Sequence, residues 1–181
     1  YSSRAYPDKL THIAQPPYAI FCKGAMPDAR KSVGIVGARM CSEYGRSIAT
    51  KLGKLLADKD VQVISGMALG IDSASHAGAL QGKGSTFAVL GCGCDVCYPK
   101  NARNLYENIQ SSGGGILSEY PPGTEPMPYR FPERNRIISA LSDCLVVVEA
   151  KKKSGSLITA DAALEQGKDV YAVPGRFGDA L

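Results

Sequence analysis

The segment RFPERNRIISALS, Arg130 to Ser142, sets Arg130, Arg134 and Arg136 beside Phe131 and Asn135 at the start of an otherwise apolar helical pattern. Pro132 suits a first helical turn, where its missing N–H leaves no bond unmade. Helical steps from Arg134 reach Ile137, Ile138 and Leu141, so Arg134 carries the buried stripe out to the helix end. Arg136 lies about two residues around the helix and points elsewhere. Phe131, just before the helix, has no core register. A ring beside guanidinium groups is what a stacked base and its phosphates require. The competing reading pairs Arg134 with Glu119 or Glu149 and leaves Phe131 capping the core. Residue types alone leave both open.

Other residues offer less. Asp72 and His76 are four apart and share a helical face, the spacing of an acid–base pair. Without a nucleophile nearby, a helix-start carboxylate and a hydrogen-bonded structural histidine account for them better. Cys92, Cys94 and Cys97 form C-x-C-x-x-C, but the chain has two histidines and no second cysteine pair to complete four ligands. No metal is expected there. Glu119 and Glu149 each close an apolar run and suit either acid–base work or bonds to loop N–H groups.

These residues need a scaffold, and apolar runs alternating with helical patterns supply one. YAIFCK (18–23), VGIVG (33–37), VQVIS (61–65), TFAVLG (86–91), GILSE (115–119), CLVVVEA (144–150) and DVYAVP (169–174) read as strands. Helices are expected over 42–57, 71–81, 101–111, from Pro132 within the segment 130–142, and over 157–166. Continuous Val/Ile/Leu strands between helices imply a mostly parallel sheet covered on both faces. Residues 1–32 form a Pro-rich extension with one short strand, and 33–181 the α/β domain. Ligands bind such sheets beyond the carboxyl ends of the strands. There stand GAR (37–39), SGMALG (65–70), GCGCD (91–95), EYPPG (119–123) and KKKSGS (151–156), rich in glycine, hydroxyls and cations. Helices begin after several of these loops and offer N–H groups to a phosphate.

The loop GARMCSEYG lacks G-x-G-x-x-G, and the second strand ends in Ser65-Gly66 rather than an acid, which argues against a dinucleotide. GKGST (82–86) precedes a strand, so it is no phosphate loop of the nucleotide-triphosphatase kind. With 21 basic and 17 acidic residues the net charge of +4 is too small to define an anionic partner by itself. No apolar run approaches the ~18 residues of a membrane span, and no signal peptide is evident. Six cysteines without an extracellular framework suit reduced, cytoplasmic thiols. The chain opens at Tyr1 and is expected to be a trimmed piece.

From YP at 6–7 onward the sequence resembles the DNA-processing protein A (DprA/Smf) family. The resemblance runs through VGIVGAR (33–39), SGMALGIDSASHAGAL (65–80), AVLGCGCDVCYP (88–99), LSEYPPGTEP (117–126), FPERNRIISALS (131–142), SGSLITADAALEQG (154–167) and AVPG (172–175). Cys94 and Cys97 depart from the apolar residues usual in the family. The resemblance implies an extended Rossmann-like domain that binds single-stranded DNA without catalysis or cofactor. It also implies protection of incoming DNA, delivery of the RecA recombinase to it, and homodimerisation. Carried over by motif, Gly37, Arg39, Ser65, Gly66, Phe131, Arg134, Asn135, Arg136, Ser154, Gly155 and Ser156 would line the DNA site. Lys151 joins them on charge, as part of Lys151–Lys153, which equally suits a solvated loop. The family's flanking N- and C-terminal domains are expected to lie outside the chain. The alternative is a nucleotide N-glycosidase of related architecture. Its P-G-G-x-G-T-x-x-E signature is replaced here by KKKSGSLITADAALE, with Asp161 and Glu165 out of register. A scaffold docking acidic proteins is a third reading.

Overall fold

Four-residue apolar runs flanked by glycine are long enough to cross a sheet and too short for a stable helix. The structure, a computed structural model, describes residues 6–152 and 154–175. Its strands are β1 (Phe21–Gly24), β2 (Ser32–Val36), β3 (Gln62–Ser65), β4 (Thr86–Val89), β5 (Gly115–Ser118), β6 (Cys144–Val147) and β7 (Asp169–Ala172). They form one sheet in the order β1-β5-β4-β3-β2-β6-β7. Five pairings are parallel; β1 runs antiparallel to β5, with Phe21 opposite Ser118. The segment before β2 is part of this body, since Leu10 and Ile13 are buried in the same core cluster as Phe87, Ile137 and Leu141.

The helices are α1 (Glu43–Asp58), α2 (Ile71–Ala79), α3 (Arg103–Ser111), α4 (Arg130–Leu141) and α5 (Gly155–Glu165). Each lies where its apolar period placed it, with ends shifted by at most two residues. Coverage is complete over the central strands, where β3, β4 and β5 are buried throughout. It fails at the β7 edge, whose residues are exposed apart from a half-buried Val170. Covering both faces would need apolar partners over β7 that the described residues do not supply.

α1 and α2 pack against each other through glycine. A Cβ on Gly53 would lie 2.2 Å from the Ser75 carbonyl oxygen, and one on Gly78 would lie 2.0 Å from that of Thr50. Both obstacles are backbone, so neither can swing aside. Gly78→Ala is expected to destabilise the protein by about 1–3 kcal/mol through overpacking, although alanine has the better helix propensity. Urea unfolding checks this; an unchanged or raised midpoint would show that the helices part freely.

Candidate nucleic-acid interface

Strand β2 is followed by Gly37-Ala38-Arg39, and β6 by the turn leading to α5. These neighbouring strands thereby open a cleft of about 550 Å³ at the carboxyl edge of the sheet. The start of α4 closes its third side. Gly37 and Arg39 line it from β2, Phe131, Arg134 and Asn135 from α4, and Lys151, Ser154, Gly155 and Ser156 from the turn. Gly66 faces a smaller adjoining pocket, shared with Arg39, Phe131 and Arg134. Lys153 lies outside the described residues.

Two of the residues named from the sequence line neither space. Ser65 is fully buried, and its hydroxyl donates to the Ile35 carbonyl at 2.6 Å, tying β3 to β2. Arg136 turns the other way around α4 and donates to Glu119 at 2.5 Å. The ion pair considered for Arg134 therefore belongs to Arg136. Glu149 spends its carboxylate on the start of α1, accepting from the Ser42 N–H at 3.1 Å and the Ser42 hydroxyl at 2.9 Å.

That choice bears on where an anion can sit. The start of α1 already holds the Glu149 carboxylate. The first N–H groups of α2 are spent on backbone, Ile71 donating to the Ala38 carbonyl at 3.2 Å and Ser73 to that of Ala68 at 3.1 Å, while Asp72 accepts from the Ala68 N–H at 3.3 Å. The start of α5 opens on the cleft: Ser154 makes no side-chain capping bond, its hydroxyl lying 2.5 Å from that of Ser156. Gly155 and Ser156 thus bring uncapped N–H groups and the positive end of the helix to the cleft wall. Asn135 braces this turn by donating to the Gly155 carbonyl at 3.1 Å.

Arg134 forms the back of the cleft. Its side chain is buried, and Nη1 donates to the carbonyls of Gly66, at 2.8 Å, and Val89, at the ends of β3 and β4. Its Nε has no partner among the described residues. Burial pulls its pKa down to about 10, offset in part by the charge of Asp72. Burial likewise pushes Asp72 up to about 6, against the pull of Arg134. His76 does not join Asp72 in acid–base work. Its Nδ1 lies 2.7 Å from the Thr86 hydroxyl, which itself donates to the Val63 carbonyl, so Nδ1 carries the proton and donates. Burial holds His76 down near 3, a neutral imidazole inside the core.

Sequence reasoning missed Tyr98. Its ring stacks on Phe131 with centroids 5.3 Å apart and planes 28° from parallel. Arg39 lies over Phe131 at 5.5 Å, within cation–π range. The signal available was an aromatic in the turn beyond the β4 run, a place where a parallel sheet presents ligands. Cys92 and Cys97, read as loop residues, donate their thiols to the carbonyls of Val96 and Pro99.

Among the described residues the cleft wall thus brings three cations, Arg39, Arg134 and Lys151, against one carboxylate, Asp72. Fold and site together define a Rossmann-like α/β protein with a cationic, aromatic-walled cleft at the carboxyl edge of its sheet. The chain belongs to the DNA recombination-mediator protein A family, whose pattern it matches over residues 1–181. It is 44% identical over 180 residues to DNA processing protein DprA of Bacillus subtilis, covering 98% of this chain and 60% of that relative. The structure of DprA from Streptococcus pneumoniae superposes with a TM-score of 0.89 at 41% identity, over 98% of this chain and 62% of the other. DNA processing protein A from Helicobacter pylori, described for its single-stranded DNA binding mode, superposes with a TM-score of 0.84 at 30% identity, over 97% of this chain and 80% of the other. The chain therefore spans about three fifths of the first two relatives.

Proposed function

We propose that the chain binds single-stranded DNA in this cleft, as a cytoplasmic homodimer that shields incoming strands and loads the RecA recombinase onto them. The observation that carries the reading is the pairing of an aromatic stack with exposed cations and an uncapped helix start on one cleft wall. Phosphates suit the Gly155 and Ser156 N–H groups, Lys151 and Arg39. Arg39 is exposed and makes no ion pair among the described residues, so it can swing to a phosphate and free the face of Phe131 for a base. Stacking accepts any base, which suits a protein that handles strands of arbitrary sequence. The relative from Helicobacter pylori, with its described single-stranded DNA binding, supports the same ligand.

Binding rather than hydrolysis fits the carboxylates. The N-glycosidase reading would rest on Glu119 as its acid–base carboxylate. Among the described residues the cleft wall carries Asp72 alone, while Glu119 is paired with Arg136.

Binding curves at several salt concentrations test the site. Phe131→Ala is expected to weaken single-strand affinity by about 1–3 kcal/mol with the salt slope unchanged. Arg39→Ala should lower that slope by ~0.7, the share of one phosphate on a single strand. An Arg39→Ala protein with the full slope removes that contact, and equal affinity for duplex and single strand removes the function. RecA loading is checked separately by the rate at which the recombinase nucleates on a strand coated beforehand with this protein; no acceleration discards that part.

A further inference from the structure

The carboxyl edge continues past the cleft, and its far end carries side chains that the cleft does not use. Across the sheet order, the cleft lies beyond β6 and β2, the Tyr98–Phe131 stack adjoins the ends of β3 and β4, and Tyr120 follows β5. Five strands in sequence give a row roughly 19 Å long at the usual strand spacing. Arg130 stands at the end of this row. Its guanidinium is 5.0 Å from the ring centroid of Tyr120 and 5.5 Å from that of Tyr129, and Nη1 is anchored on the Glu125 carbonyl. Tyr120 is fixed in turn, its hydroxyl donating to Glu133 at 2.8 Å.

The fold does not require this cluster. Tyr129 directly precedes α4, yet its side chain makes no capping bond and the residue is 55% exposed. Core packing therefore does not dictate an aromatic residue there. Arg130 and Glu133 balance in charge, so the cluster is close to neutral and presents ring faces and a guanidinium plane instead of a phosphate clamp. Its position next to Phe131 in the chain makes it continuous with the aromatic wall of the cleft.

We infer that Tyr120, Arg130 and Tyr129 form a second stacking platform, which takes further bases of the same single strand after it passes Phe131 and Tyr98. This rests on the single-strand reading of the cleft and extends it to the length of strand covered. The strand crosses the row of strand ends, and the platform contributes only when the oligonucleotide is long enough to reach it.

Fluorescence anisotropy with oligothymidylates of about 5 and about 20 nucleotides tests the inference, since site sizes of this order separate one platform from two. Tyr129→Ala should weaken binding of the long oligonucleotide about tenfold, with its salt slope intact, and leave the short one unchanged. Tyr129→Phe should bind both as the unaltered protein does. Equal loss on both lengths, or no loss on the long one, overturns the second platform while the cleft reading stands. Failure of the unaltered protein to bind either length overturns both. An exposed tyrosine that serves a protein partner instead would give the no-loss outcome.

Discussion

Arg134→Ala is expected to lower the stability of the protein by about 3–5 kcal/mol, the usual loss when one member of a buried polar arrangement is removed. The guanidinium reaches across from α4 and bonds the carbonyls that end β3 and β4. Alanine would leave those carbonyls without their donor and the buried Asp72 without the cation whose charge acts most strongly on it. The loss is a large part of the stability of an ordinary domain. Arg134→Lys should recover only a fraction, because a single ammonium cannot reproduce the planar fork. Adding Asp72→Asn to the Arg134→Ala protein should restore part of the loss, by removing the charge left unpaired. Urea unfolding at neutral pH reads all three. A midpoint for Arg134→Ala equal to that of the unaltered protein would show that the buried guanidinium holds nothing together.

The second large effect is a pair of opposed pH dependences. His76 is held near 3 in the folded protein against an ordinary value of 6.5, so the unfolded chain binds its proton more readily. Its contribution is fully present above pH 6.5 and is lost on acidification, at about 1.4 kcal/mol per pH unit. Asp72 runs the other way. Its folded value, raised from 3.8 to about 6, means that the folded state takes up a proton first. Stability from this group is greatest below about pH 4 and falls as pH rises to about 6. Between pH 4 and 6 the two slopes cancel to first order. His76→Asn keeps a donor for Thr86 and removes the acid loss, so its stability should rise by up to about 3 kcal/mol on going from pH 6 to 4, relative to the unaltered protein. Asp72→Asn should fall by a similar amount over the same range. Other titrating groups act alike in the three proteins, and the comparison isolates the pair. Urea midpoints against pH that stay parallel for all three would refute the assignment.

The DNA contacts are smaller in energy but carry the function. Phe131 and Arg39 are separable because one works through a ring face and the other through charge. Tyr129 adds a length dependence that neither of them predicts.

The alternation of apolar runs with helical periods determined the mostly parallel sheet, the helix positions and the edge on which a ligand would bind. Burial of Val/Ile/Leu runs between helices permits few other arrangements. The family resemblance and the charge argument also named nine residues that the fold then brings to one cleft, from Gly37 to Ser156. Side-chain direction at the rim was beyond that reading. Whether Arg134 or Arg136 meets Glu119 depends on a rotation of about 200° around α4 and on which strand ends that helix crosses. Only the packed structure turns Arg134 inward onto Gly66 and Val89 and leaves Arg136 for Glu119. Tyr98 escaped for a similar reason. Its distance from Phe131 is 33 residues in sequence and 5.3 Å in space, set by the loop beyond β4 folding over the start of α4. The tertiary structure likewise decided which helix start stays open. That of α1 is met by Glu149 and the first N–H groups of α2 by the Ala38 and Ala68 carbonyls, whereas that of α5 reaches the cleft with its two serine hydroxyls bonded to each other.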